Sequence, residues 1–213
     1  MARNVNVINN VGNNVKVTVN EINGKMQIVI DVVGEMVELS TLNPGDIFKD
    51  NDGIEYIVCE HFSDGTTAVV TKEFLENSMD FGNTNDWKES GIRTYFNGDY
   101  LKELERKFGA ENIITHESDL LSMDGYDDYG TCMDKVSLMS FDQNRKYRKL
   151  IGKPSELEWL LTPDQTPTSN NNSSYVLYVG SYGRVVCGVC RYVGGVRPFF
   201  ILKSSISVSS NVE

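Results

Sequence analysis

Two cysteines three residues apart, Cys187 and Cys190, are the closest pair of thiols in this chain. Thiolates at this spacing either exchange a disulfide or supply half of a tetrahedral zinc site. Zinc needs four ligands; no second close cysteine pair exists, and His61 and His116 are single histidines far apart in sequence. A redox pair opens a helix after a strand, whereas this one lies in Val- and Gly-rich sequence. The thiols are therefore expected to be unlinked. Carboxylates cluster twice. Asp50-Asn51-Asp52-Gly53 lacks the later bidentate Glu of a calcium loop and reads as a turn; Asp124, Asp127 and Asp128 sit in an acidic loop over residues 123–130. No Ser/His/Asp set or paired-carboxylate arrangement stands out, so no catalytic residue is assigned and no metal or cofactor is expected.

Recognition chemistry is better represented. From residue 166 to 202 the chain contains no Lys, Glu, Gln, Met or Trp, and no Asp, His or Ala. The first five types make up roughly a sixth of the chain, so about six or seven are expected in such a window. Tyr, Ser, Gly, Asn, Val, Cys and Arg dominate instead. Tyr, Ser, Gly and Asn, with Arg at hot spots, are the residues of adaptable binding loops. The net charge of −10 argues against nucleic acid as a partner, because backbone phosphates require clustered Lys and Arg. No apolar run reaches the ~18 residues of a membrane-spanning helix, so no membrane insertion is expected. The opening Met1-Ala2-Arg3-Asn4 leads into Asn-rich alternation without the apolar core of a signal peptide.

These residues need elements to hold them. Residues 4–33 alternate, with Val5 and Val7, then Val15, Val17 and Val19, then Ile28 and Ile30 at every second position, and turns at Gly12-Asn13 and Asn23-Gly24. Residues 1–40 are thus expected to form a β-rich ribbon for attachment or oligomerisation. A ligand-binding domain over 41–204 and a Ser-rich tail over 205–213 follow. The pattern predicts strands at 55–61 and 66–71, a helix over 87–108, and a short strand at 136–141. A basic helix or loop at 144–150 follows, then a strand from 158 with Trp159 in the core and a polar loop over 162–174. Strands at 175–179, 184–189 and 195–202 complete the chain, with a turn at Tyr182-Gly183. Val176, Val179 and Val185 pointing inward would leave Tyr175, Tyr178, Arg184 and Val186 outward. Arg197, inside an apolar strand, requires a carboxylate partner.

Four motifs carry a resemblance. Trp87-Lys88-Glu89-Ser90-Gly91-Ile92-Arg93 with Phe96-Asn97 resembles the W-x-x-S-x-I/L-R-x-x-L-N segment of a large family from gut bacteria and their phages. Asp134-Lys135-Val136-Ser137-Leu138-Met139-Ser140 resembles its D-K-V-F-L-L-S strand, and Trp159-Leu160-Leu161-Thr162-Pro163 its W-L-R-S-P. Gly195-Val196-Arg197-Pro198-Phe199-Phe200 resembles its closing G-V-R-P-A-L/F. The four occur in order between about residues 42 and 203. Thr162 stands about where that family carries Arg.

The family is similar to C-type-lectin-fold domains. The resemblance therefore implies an α+β C-type-lectin-like fold: two small, mostly antiparallel sheets and two helices, here with the N-terminal β-ribbon appended. Some relatives are variable proteins of diversity-generating retroelements, in which AAC codons near the 3′ end of the gene are rewritten. Those codons yield Asn, Tyr, Ser, Gly, Cys, Arg and Val but never Lys, Glu, Gln, Met or Trp. Set on this chain, Val176, Val179, Gly183, Val185, Gly195 and Arg197 would be the frame. The rewritten, ligand-binding positions would be Tyr175, Tyr178, Gly180, Ser181, Tyr182, Arg184, Val186, Cys187, Gly188, Val189, Cys190, Arg191, Tyr192, Val193 and Gly194.

The implied function is a hypervariable receptor-binding or adhesion protein rather than an enzyme. It would bind a host-surface protein or glycan, sit with phage tail or surface-display proteins, and act as a homo-oligomer. The expected location is a phage virion tail, with a bacterial cell surface as the alternative. A structural virion or cell-surface component without diversified binding is the competing function.

Overall fold

The computed structural model describes residues 15–22, 25–32, 35–170 and 172–210. The N-terminal alternation forms an antiparallel pair, β1 (Val15–Ile22) with β2 (Lys25–Val32), in register from Val15 opposite Val32 to Ile22 opposite Lys25. The expected strand at Val5 and Val7 and the turns at Gly12-Asn13 and Asn23-Gly24 lie outside the described residues.

The next elements are β3 (Glu35–Glu38), β4 (Ile47–Lys49), β5 (Glu55–His61), β6 (Thr66–Thr71) and β7 (Met79–Asp80). Helix follows: α1 (Gly91–Tyr95), a π-helical turn (Phe96–Tyr100) and α2 (Leu101–Phe108) run on without a gap. Then come β8 (Ile113–Ile114), β9 (His116–Asp119), β10 (Thr131–Asp134), β11 (Val136–Ser137) and α3 (Phe141–Ile151). The last elements are β12 (Glu158–Pro163), α4 (Pro167–Asn170), β13 (Tyr175–Val179), β14 (Val185–Val189), β15 (Val193–Gly194), β16 (Phe199–Lys203) and β17 (Ser207–Ser210). The large sheet runs β11-β16-β6-β5-β4-β17-β3, with β8 also on β16, and a smaller sheet runs β12-β13-β14. Every ladder among the described residues is antiparallel; one isolated parallel bridge joins Glu158 to Gly195. The chain is thus mixed α and β, mostly strand, with few helices.

The large sheet carries apolar residues on both faces, which explains its continuous apolar runs. Val69 and Phe200 join a cluster with Trp87, Ile92, Phe96 and Leu104 under the helices; their neighbours Val70 and Phe199 join a second cluster with Tyr147, Ile151, Leu177 and Val179. The second cluster glues α3 and the small sheet to the large one.

Several expectations change in register or extent. The boundaries at 40 and 205 are both crossed by pairing: β3 pairs with β17, and β17 with β4, so the expected Ser-rich tail supplies a strand whose Val208 is buried. The strand expected at 136–141 stops at Ser137, because Ser140 and Gln143 form a capping box that starts α3 at Phe141. The strand expected at 195–202 begins only at Phe199, after Pro198, which has no amide to give a ladder. The polar loop expected at 162–174 is partly regular, since β12 continues through Pro163 and α4 occupies 167–170.

Candidate ligand-binding site

The fifteen candidate positions lie on β13, the β13–β14 turn, β14 and the segment into β15. The start of β13 is held from outside the small sheet. Asn85 is fully buried; its Nδ2 donates to the carbonyls of Gln165 and Tyr175, both at 2.7 Å, and its Oδ1 accepts from the Tyr129 hydroxyl at 2.7 Å. The Asn85 amide donates to Ser173 O at 2.7 Å. A buried amide with every group satisfied fixes its neighbours firmly. At the far end the turn closes through Gly180 N to Arg184 O (2.9 Å), and Arg148 Nη2 donates to Gly183 O at 2.7 Å. Gly183 has φ 83°, the left-handed region that suits glycine.

Side chains alternate across these strands. Val176 and Tyr178 share a face with Val186 and Gly188, which lie opposite them on β14. Tyr178 packs edge-on against Trp159, with ring centroids 5.9 Å apart, and a Cβ on Gly188 would meet Tyr178 Cε1 at 2.8 Å. The other face carries Tyr175, Leu177, Val179, Val185, Cys187 and Val189, with Leu177, Val179 and Val185 packed into the second cluster. The expectation that Tyr175, Tyr178, Arg184 and Val186 face outward together is therefore corrected. Val176 and Val179 are three apart and cannot share a face, and the small sheet is apolar on both sides. Tyr175 and Tyr178 point in opposite directions.

Burial divides the candidates. Gly188, Cys190 and Gly194 are buried, Cys190 within the main core and Gly194 beneath Leu157 and Trp159. These three do not present side chains to a ligand. Tyr178, Gly180, Val186 and Val189 are half-buried. Tyr175, Ser181, Tyr182, Arg184, Cys187, Arg191, Tyr192 and Val193 are exposed, led by Tyr182 at 92%, Val193 at 66% and Tyr192 at 56%. The exposed set surrounds β14, which pairs only with β13 among the described residues. Gly180 N to Arg184 O and Cys190 N to Ser174 O fix which amides face β13. By alternation Val186 and Gly188 face inward, so the amides of Val185, Cys187 and Val189 point out along a free edge. The candidate site is thus a rim around an open strand edge, not one flat face.

The other chemically capable residues are spent on structure. Among the described residues no group of three or more His, Cys, Asp or Glu side chains converges on a common point. Cys190 is buried and Cys187 exposed, and burial pushes the Cys190 thiol up to about 11 and the Cys59 thiol up to about 12. Burial and the nearby Asp164 carboxylate raise Cys187 as well. His61 bridges Thr67 Oγ1 (2.8 Å) and Leu42 O (2.7 Å), and His116 Nε2 meets Ser137 Oγ at 3.0 Å. In the acidic loop, Asp124 accepts from Ser122 and Ser169, and Asp128 from the Thr168 amide at 2.8 Å. That loop braces the segment leading into β13. Asp50 accepts from its own turn and from Tyr56, and Asp52 pairs with Arg106.

The motif residues also meet. Asp134 Oδ2 accepts from Trp87 Nε1 and its Oδ1 from Arg93 Nε, both at 2.8 Å, while Ser90 caps α1. Asn97 Oδ1 accepts the amides of Lys135 (3.0 Å) and Val136 (3.1 Å). Arg197 finds the carboxylate it requires: its Nε lies 3.1 Å from Glu158 Oε1, and its guanidinium stacks on Phe74 at 5.1 Å. The Nε–Oε1 contact lacks hydrogen-bond alignment, so this buried pair locks position more than it adds stability. Thr162, standing where Arg is usual in the resembling family, accepts the Phe141 amide through Oγ1 at 2.9 Å. Sequence reasoning missed Asn85 and Tyr129; an Asn in a run of turn residues carries no mark of a buried brace. It also missed the ring of Tyr178 covering Gly188, which only strand register reveals. Comparison with protein-family models, with curated proteins and with solved structures gave no match for this chain.

Proposed function

We propose that this chain is a ligand-binding protein whose contact surface is the rim of β14, carried on a C-type-lectin-like scaffold and open to sequence change at its exposed positions. One observation supports the reading above the others: exposed Tyr182 and Arg184 stand at one end of a free strand edge, and exposed Arg191 and Tyr192 at the other, while between them Cys187 is exposed and Gly188 and Cys190 are buried. Tyr gives large contact area at small entropic cost, and Arg adds charge-assisted hydrogen bonds. Substitution at exposed positions usually changes stability by less than about 0.5 kcal/mol, so such a rim tolerates diversification. The free amides of Val185, Cys187 and Val189 add a contact that does not depend on side chains.

The ligand in this reading is a protein or glycan on a host cell, and the chain is displayed on a phage tail or a bacterial surface. A constant structural role, with β14 paired to a second copy, is the competing reading. Antiparallel self-pairing centred on Cys187 sets Arg184 of one copy opposite Cys190 of the other, one residue from its Arg191, and like charges oppose it. The test is to sequence the gene from independent isolates and measure binding to host cells. Differences confined to 175, 181, 182, 184, 187 and 191–193, with adhesion that changes among the variants, support the proposal. An invariant segment, or adhesion unaffected by replacing Tyr182 and Tyr192 with Ala, refutes it.

A further inference from the structure

β14 ends the small sheet: it pairs with β13 and with no other strand among the described residues. The amides and carbonyls of Val185, Cys187 and Val189 point away from β13, because Gly180 N to Arg184 O and Cys190 N to Ser174 O bond inward and the ladder alternates. Three donors and three acceptors thus recur at every second residue along about 14 Å of edge. That repeat matches another polypeptide strand, and a sugar ring does not reproduce it. The strand itself, Val-Val-Cys-Gly-Val, carries no charge. On one face exposed Cys187 lies between half-buried Val185 and Val189. On the other, a Cβ at Gly188 would meet the Tyr178 ring at 2.8 Å and the Tyr192 ring at 3.6 Å, so a partner residue beside Gly188 comes next to aromatic surface. Charge is confined to the ends. Arg184 precedes the strand and Arg191 follows it; both are exposed, and neither forms an ion pair among the described residues although the chain holds 30 Asp and Glu.

Resting on the rim reading above, we propose that the ligand is a protein segment in extended form, with a short uncharged core and carboxylates at both ends, which adds to β14 as the fourth strand of the small sheet. Backbone hydrogen bonds hold the segment, Arg184 and Arg191 meet its acidic ends, and the exposed rim side chains sort one segment from another. The binding mode then survives change at the rim, because the edge amides do not depend on side chains.

Fluorescence polarisation of labelled peptides with the full chain at 150 mM salt tests the proposal (the salt being about physiological). The probes are Glu-Glu-Val-Thr-Val-Thr-Val-Glu-Glu, its counterpart with Lys in place of every Glu, and the acidic peptide with proline at two adjacent positions in its middle. Saturable binding of the acidic peptide, roughly tenfold or more tighter than either of the others, is expected. Arg184→Ser and Arg191→Ser should each weaken it about two- to fivefold, as loss of an exposed ion pair does. Cys187→Pro removes an amide that β13 does not use, which an edge strand tolerates, and should weaken binding at least about tenfold while circular dichroism shows the parent's fold. Lys102→Ser, which removes an exposed cation on α2, should change nothing. No saturable binding of the acidic peptide, equal affinity for the Lys peptide, or full affinity in a folded Cys187→Pro protein would each overturn strand addition. Host adhesion that still requires Tyr182 and Tyr192 would then leave the rim holding its ligand, a glycan included, through side chains alone.

Discussion

Gly194→Ala separates the frame from the rim. Gly194 was expected among the changeable positions, yet it is buried between Leu157 and Trp159. A Cβ there overlaps Leu157 Cδ2 and comes within 3.0 Å of Trp159 Nε1, the atom that donates to Met79 O at 3.0 Å. Forcing a methyl into a filled space costs about 1–3 kcal/mol. Pulling Trp159 Nε1 off its carbonyl strands a buried donor, worth about another 1–3 kcal/mol. Against this, Ala recovers about 0.5–1 kcal/mol of the glycine's backbone entropy. The net loss is about 1–5 kcal/mol, centred near 3, which for a chain of this size lowers Tm by roughly 6–12 °C at that centre. Tyr182→Ala removes a side chain that is 92% exposed and should stay within about 0.5 kcal/mol of the parent. Urea unfolding followed by circular dichroism, with thermal melts in parallel, measures both. A Gly194→Ala protein as stable as its parent, or a Tyr182→Ala protein losing more than about 1 kcal/mol, would refute the division into frame and rim.

Asp134→Asn leaves the Trp87 indole and the Arg93 guanidinium without their shared carboxylate; because Arg93 is partly exposed, the expected loss is about 2–3 kcal/mol by urea unfolding, and a loss below about 0.5 kcal/mol would deny the network its role. His116 is held neutral, its pKa lowered mainly by burial with Asp134 opposing, so the unfolded chain binds the extra proton as pH drops below about 6.5. Stability should therefore fall from pH 7 toward pH 5, and His116→Gln should flatten that slope; parallel profiles would exclude the assignment. Cys187 is the exposed thiol, so a thiol reagent at pH 8 should modify it first and Cys187→Ser should abolish the fast phase. Fast labelling that persists in that variant would place the accessible thiol elsewhere.

How much could be read in advance depended on whether a residue's role was local. The strands at 55–61 and 66–71 follow directly from two short apolar runs joined by a Ser-Asp-Gly turn, and both match residue for residue. Trp159 in the core and a carboxylate for Arg197 follow from burial energetics and hold. The site was legible in composition but not in direction. Which of Tyr175 and Tyr178 faces Trp159 depends on the β12–β13 register, with Trp159 opposite Tyr178, and nothing local sets that. Gly188 and Cys190 look like neighbouring loop residues in sequence. They become core only because β13 and Phe81 close over them, the Cys190 amide donating to Ser174 O and its carbonyl accepting the Phe81 amide. The buried Asn85 is the same lesson from the other side, since its three partners come from residues 129, 165 and 175.

A free β14 edge is a hazard for any folded chain, and this one meets it in a particular way. The strand Val185–Val189 has no charge and no proline, features that favour unwanted pairing. What guards it lies just outside: Arg184 before the strand and Arg191 after it, both exposed, on a chain of net charge −10. Two copies meeting edge to edge bring those arginines together, whereas an acidic or neutral extended partner meets them favourably. The same two residues would therefore suppress self-association and draw in a ligand. Replacing both with Ser uncouples these effects. Sedimentation should then reveal dimers that the parent does not form, and host-cell adhesion should fall. A double variant that stays in the parent's oligomeric state would mean that the edge is protected by something other than its flanking charge.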